Sequence, residues 1–176
     1  MLDASWNPVH ISSPLARILA LTIGGMMLVV TVMIHSFGIR AITAQHNRRY
    51  CRIVAESRSL VIDTALLGRT VYLLLLLHCV EVVIWALVLD VANIVPGIHD
   101  SVYYAMNAYT TLGFGESLAR PEWRNMASLI AISGFFTFAW TGSTLVALAS
   151  MTSHADRNPS TTSTHKESQL GTLLEK

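Results

Sequence analysis

Apolar positions in this chain come in long runs broken by short polar stretches. The runs 15–38 and 70–95 both exceed the ~18–20 apolar residues that a spanning helix requires. A third run, 126–151, is interrupted only by small hydroxyl residues and glycines. The pattern predicts three transmembrane helices. Between the second and third lies a shorter helix-compatible stretch, Asp100 to Thr110, with Asp100 or Ser101 suited to cap its start. It is too short to cross a bilayer and is read as re-entrant, which requires protein or a water-filled cavity to satisfy the irregular backbone after it. Pro96-Gly97 breaks the chain ahead of it.

Composition agrees. The chain is 52% hydrophobic and 13% charged, against about 25% charged in soluble domains, which indicates a membrane protein. Charge distribution sets its orientation. Arg40, Arg48, Arg49, Arg52, Arg58 and Arg69 stand against Glu56 and Asp63 between the first two spans. The loop between spans two and three carries Asp90, Asp100, Glu116 and Glu122 against Arg120 and Arg124. Basic residues gather on the cytoplasmic side, so the N-terminus is placed outside and the C-terminus in the cytoplasm of a cell membrane. The organisation expected is an outer segment 1–14, a first helix 15–38, an arginine-rich cytoplasmic loop 39–69, a pore domain 70–152 and a disordered tail 153–176.

The run 15–38 is read as a retained span, because its apolar core is long for a signal peptide and no basic region precedes it. Residues 39–66 suit a cytoplasmic helical hairpin or an extension of the second span, with the arginines meeting anionic lipid. Cys51 and Cys79 lie in the inner loop and inside a span, so no disulfide is expected. No Cys/His spacing suggests a metal site, no covalent catalysis is suggested, and no nucleic-acid partner is expected.

The most informative residues are Thr110-Thr111-Leu112-Gly113-Phe114-Gly115, followed by Glu116. A row of backbone carbonyls aimed at one axis can replace the water around a cation. Regular backbone alternation would turn every second carbonyl away, and glycine reaches the left-handed conformations that correct this, hence Gly113 and Gly115. Thr111 adds a hydroxyl below the ladder. Leu112 and Phe114 are expected to project backwards into the protein, setting filter width by packing. Glu116 places a carboxylate at the outer mouth, where it concentrates cations. The helix before the filter ends in partial negative charge, favourable to a cation beneath it. A plain turn would leave the two threonines, the short helix and the sidedness unexplained.

From Tyr103 to about Val146 the sequence resembles the pore domain of potassium channels: paired aromatics, T-T-L-G-F-G-E, a Trp-Arg pair and a glycine-containing inner helix. The resemblance implies that carbonyls of Thr111, Leu112, Gly113 and Phe114, with Gly115, coordinate K+. It implies support from Thr110 and Asn107, an aromatic cuff of Tyr103 and Tyr104, and a hinge at Gly134. Thr137, Thr141, Ser143 and Thr144 are the candidate pore-lining positions, although such hydroxyls also bond back to helix carbonyls or pack against other helices. Gly134 and Gly142 also fit as close-packing sites. Leu112, Phe114 and Glu116 stand where valine or isoleucine, tyrosine and aspartate are usual. The additional first span resembles that of small bacterial ion-channel proteins, and no span repeats arginine as a voltage sensor does.

His78, Glu81 and Trp85, spaced by three and four, share a helical face in the second span. An ionisable group at that depth marks a functional site by default. Two readings stay open: a proton or ion sensor involving His35, His78 and Glu81, or a satisfied polar pair that fixes packing, with Glu81 joined to His78 or to His35. His46, His154 and His165 are expected to be solvated.

The reading is an all-α membrane protein of three transmembrane helices plus a re-entrant pore helix and selectivity-filter loop. One filter strand cannot surround an ion, so a homotetramer conducting potassium passively is expected, with no cofactor other than the permeant K+. A transporter subunit and a non-conducting accessory subunit are the rivals.

Overall fold

The computed structural model describes residues 14–56, 60–113, 119, 123 and 125–157. Among the described residues the fold has four α-helices: α1 (Pro14–Glu56), α2 (Leu60–Val91), α3 (Ile98–Tyr109) and α4 (Met126–Arg157). No strand occurs among the described residues. α1, α2 and α4 are each long and apolar enough to cross a membrane, as the three apolar runs predict, and the protein is an all-α membrane protein.

Proline at the first helical position costs no hydrogen bond, which suits Pro14 to start α1. From Ile39 to Glu56 there is neither glycine nor proline, and α1 continues unbroken for 43 residues. At 1.5 Å per residue that is about 64 Å, well beyond the ~40–45 Å of a whole bilayer. α2 restarts at Leu60 and packs antiparallel to α1. Two contacts fix the register: His35 meets Glu81, and His46 meets Thr70. His46, expected to be solvated, is instead 3% exposed, with Nδ1 2.8 Å from Thr70 Oγ1. The antiparallel neighbour covers it. Cys51 and Cys79 are free and exposed.

α2 stops at Val91, where Asn93 takes a positive φ of 52° and Gly97 one of 96°. The N-cap of α3 is Gly97 rather than Asp100 or Ser101. The left-handed glycine turns the chain three to four residues earlier, which leaves Ser101 inside the first turn. There its hydroxyl reaches back to the Val95 carbonyl at 2.9 Å. Asp100 still stands in the first turn, where the helix dipole favours a carboxylate.

α3 lies between α2 and α4. Trp85, Leu89, Ile94, Tyr104, Tyr109, Met126 and Ile130 form the core around it. α1 packs on α2 and α4 from outside that core, and Gly24 lets it approach Leu129 and Met126. Many large apolar side chains on α1, α2 and α4 remain exposed, Phe135 at 73% and Val146 at 71% among them, as suits surfaces meeting lipid or other membrane helices. α4 extends to Arg157, past the point at 153 where the disordered tail was expected to begin. Residues 158–176, including His165, lie outside the described residues, as does the side chain of His154.

Candidate functional site

α3 ends in a tightly closed cap. The Leu112 N–H donates to the Asn107 carbonyl at 2.8 Å and the Thr111 N–H to the Ala108 carbonyl at 3.0 Å. This is the paired pattern of a Schellman cap, whose reversing residue ordinarily is glycine. Here it is Thr111, with φ 62°. A β-branched residue in that region is strained by roughly 1–3 kcal/mol, so the chain accepts a cost to place a threonine there. Gly113 also has positive φ, 78°. Residues 111 and 113 thus share the left-handed region; the glycine argument required it of Gly113 and Gly115 but not of Thr111.

Around this cap, the Thr110 hydroxyl donates to the Met106 carbonyl at 2.7 Å and Asn107 Nδ2 to the Tyr103 carbonyl at 2.7 Å. Both contacts tighten the last turns of α3. Tyr104 is buried in the core at 1% exposure, while its neighbour Tyr103 faces outward at 49%. Leu112 is 60% exposed, so within one protomer it does not pack backwards into the protein as expected. The cap bond to Asn107 holds it at the helix end instead. Phe114, Gly115 and Glu116 lie outside the described residues, as does Arg124; Trp123 packs against the core.

Directly beneath the cap is a buried polar cluster drawn from all four helices. His35 Nδ1 of α1 lies 2.7 Å from Glu81 Oε1 of α2. Tyr109, the last residue of α3, donates its phenol proton to Glu81 Oε2. His78 Nδ1 is 2.8 Å from Tyr109 Oη and 3.6 Å from Glu81 Oε2. On α4, Thr141 Oγ1 lies 3.0 Å from His78 Nε2 and 3.3 Å from His35 Nε2, and Thr137 Oγ1 lies 2.7 Å from Tyr109 Oη. Glu81, His35 and Thr137 are fully buried. The rings of Phe138 and Trp140 stand against the two histidines, with centroids at 4.5 Å and 5.9 Å.

These contacts form a closed ring: His35, Glu81, Tyr109, His78, Thr141 and back to His35. Each of its five links needs one proton. Tyr109 spends its proton on Glu81, so His78 Nδ1–H must donate to Tyr109. His78 Nε2 then accepts from Thr141, and His35 Nε2–H must donate to Thr141. Two neutral imidazoles and two hydroxyls supply four protons. The fifth sits between His35 and Glu81, as imidazolium with carboxylate or imidazole with carboxylic acid. Either way the ring is satisfied and carries no net charge, the state a membrane interior favours. The donor atoms of His35, His78 and Glu81 lie within 4.8 Å of one another, close enough to gather a metal ion. The ring already employs them all in hydrogen bonds.

Glu81 therefore joins His35 more closely than His78. Trp85, on the same face, donates Nε1–H to Ser133 Oγ of α4 at 3.1 Å. Thr137 and Thr141, among the candidate pore-lining positions, are buried inside the protomer, Thr141 as a ring member and Thr137 against Tyr109. Ser143 is exposed and Thr144 half-buried, each bonded back to the Trp140 carbonyl at 2.8 and 3.0 Å. Gly134 meets the Tyr109 backbone: a Cβ there would collide with the Tyr109 carbonyl oxygen. Gly142 has open space around it. The residue that sequence reasoning missed is Tyr109, read only as part of a short helix, although it bonds Glu81, His78 and Thr137. Its place immediately before Thr110-Thr111 was the available signal.

No curated protein and no solved structure matches the chain. Residues 72–150, running from α2 through α3 into α4 and so including every ring member but His35, match the family model described as ion channel, and it is an ion channel family that this match supports.

Proposed function

We propose that the chain is one subunit of a homotetrameric channel that conducts potassium passively across a cell membrane. Its filter would be Thr111, Leu112, Gly113, Phe114 and Gly115, with Glu116 at the outer mouth. The observation that carries this reading is a 12-residue helix set between two spans, within the segment matching the ion channel family, and leading straight into T-T-L-G-F-G. Four copies of the loop would complete a ring of carbonyls. K+ would shed its water there and advance by knock-on between adjacent sites. With the N-terminus outside and the arginine-rich arm in the cytoplasm, the filter would face the exterior.

The buried ring gives the pore helix its anchor. Tyr109 is covalently next to Thr110 and hydrogen-bonded into α2 and α4, so the state of His35, His78 and Glu81 bears on the position of the filter. In this reading the ring is the gating element, and its shared proton is the variable.

Purified protein in a planar bilayer, with potassium on one side and sodium on the other, tests the function. Reversal near the potassium equilibrium potential is the expected result. Reversal near zero would replace it with a non-selective cation pore. Silence across pH and voltage, with a monomeric mass in native mass spectrometry, would favour an accessory subunit.

A further inference from the structure

At the cytoplasmic end of the α1–α2 pair is a groove of about 550 Å³, within the ~300–1,000 Å³ typical of small-ligand sites. Arg48, Arg49 and Arg52 reach it from α1 and Arg69 from α2. No acidic residue lines it among the described residues. Arg69 donates to Gln45 Oε1 at 3.1 Å, a neutral partner that fixes the guanidinium without neutralising it. Four guanidinium groups around one concavity form a strong anion site. Their planar forks match the paired oxygens of phosphate.

Position identifies the source of the phosphate. His46 pairs with Thr70, where the apolar run 70–95 begins. Arg48 to Arg52 lie two to six residues further along α1, about 3–9 Å at helical rise. The headgroup layer on one side of a bilayer is about 5–7 Å deep. The opposite wall is apolar, formed by Ile62, Ala65 and Leu66 of α2, with Val61 beside them 76% exposed. A groove with cations along α1 and at Arg69, hydrocarbon along the rest of α2, and set at headgroup depth suits a ligand that is itself both charged and apolar.

We propose that this groove is a binding site for a phosphate-bearing anion supplied by a lipid headgroup of the cytoplasmic leaflet. The site goes beyond the conduction reading and stands whether or not the pore conducts.

The test uses the purified full chain in a neutral detergent and three probes: short-chain phosphatidic acid, pyrophosphate and short-chain phosphatidylcholine. Phosphatidic acid is expected to bind, with phosphatidylcholine failing to compete and pyrophosphate competing weakly. Arg49→Gln and Arg52→Gln, both at exposed positions, should each weaken phosphatidic acid binding, and together by about tenfold or more. Arg40→Gln removes a charge from the same arm outside the groove and should leave binding within about twofold of the unaltered protein. An equal loss with Arg40→Gln would reduce the effect to general loop charge and overturn the site. Pyrophosphate binding as tightly as phosphatidic acid would overturn the lipid source. Phosphatidylcholine competing equally would overturn the role of the anion.

Discussion

His35 of α1 and Glu81 of α2 are both fully buried, and their side chains meet at 2.7 Å. The pair ties the additional first helix to the segment that matches the ion channel family. Proton counting around the ring assigns it one shared proton, which predicts how substitutions divide. Glu81→Gln can accept from Tyr109 through its carbonyl and donate to His35 Nδ1 through its amide, so every link survives. Glu81→Ala takes away the partner of His35 Nδ1 and the acceptor of the Tyr109 proton, although both residues keep their other contacts, at roughly 1–3 kcal/mol for each buried group left unsatisfied. Thermal unfolding in detergent should show Glu81→Gln near the unaltered protein and Glu81→Ala clearly below it. Equal losses in both would mean that a carboxylate, and no shared proton, is what the ring requires.

The same count bears on pH. The groups facing the shared proton are His35 from α1, His78 and Glu81 from α2, and Tyr109 from α3, with the hydroxyls of Thr137 and Thr141 from α4. Removing that proton at high pH leaves a net negative charge and one link without a hydrogen. Open probability should therefore change as pH rises, and Glu81→Gln should flatten the dependence. Unchanged pH response and open probability in that variant would end the gating role of the ring.

Gly134 and Gly142 are expected to behave oppositely. Gly134→Ala drives a methyl into the Tyr109 carbonyl, which belongs to backbone and cannot swing aside. Such overpacking costs typically about 1–3 kcal/mol and should disturb conduction by displacing the end of α3. Gly142→Ala meets open space in the protomer and should be neutral or slightly stabilising by helix propensity. Paired melting curves decide this; a tolerated Gly134→Ala would show that α3 and α4 are free to separate.

Thr111 offers a separation of backbone from hydroxyl. Thr111→Gly removes the cost of holding a β-branched residue at φ 62° and should raise stability by about 1 kcal/mol. Thr111→Val retains the strain and loses only the hydroxyl. If the hydroxyl serves permeant ions, both variants should lose potassium selectivity, although only the glycine variant gains stability. Selectivity retained in both would remove the side chain from the ion path.

The helices were legible because hydrocarbon thickness dictates long apolar runs, and Pro96-Gly97 marks its own turn. The faces were harder to read. α2 and α4 are apolar almost all round, so periodicity does not say which side meets protein and which meets lipid; only their few polar residues do. His78 and Glu81 gave away their common face by spacing, and His35 stood out as an ionisable group in a span. Thr137 and Thr141 were ambiguous, since a hydroxyl on such a helix suits a pore wall or a neighbouring helix equally, and their meeting with Tyr109 depends on the crossing of α3 over α4. The tall α1 was legible only in part: residues 39–66 suited a helical hairpin, but their charge set them apart as a cytoplasmic loop and hid that the first arm continues the first span without a break.

That height has a mechanical meaning. Between Arg48 and His35 there are about 20 Å of unbroken helix, with Gly38 packed against Leu77 on the way. A stiff rod of this kind works as a lever whose short end presses on the proton-bearing pair. In the channel reading proposed above, whatever pushes, tethers or twists the arm would deliver torque to the Tyr109 end of α3.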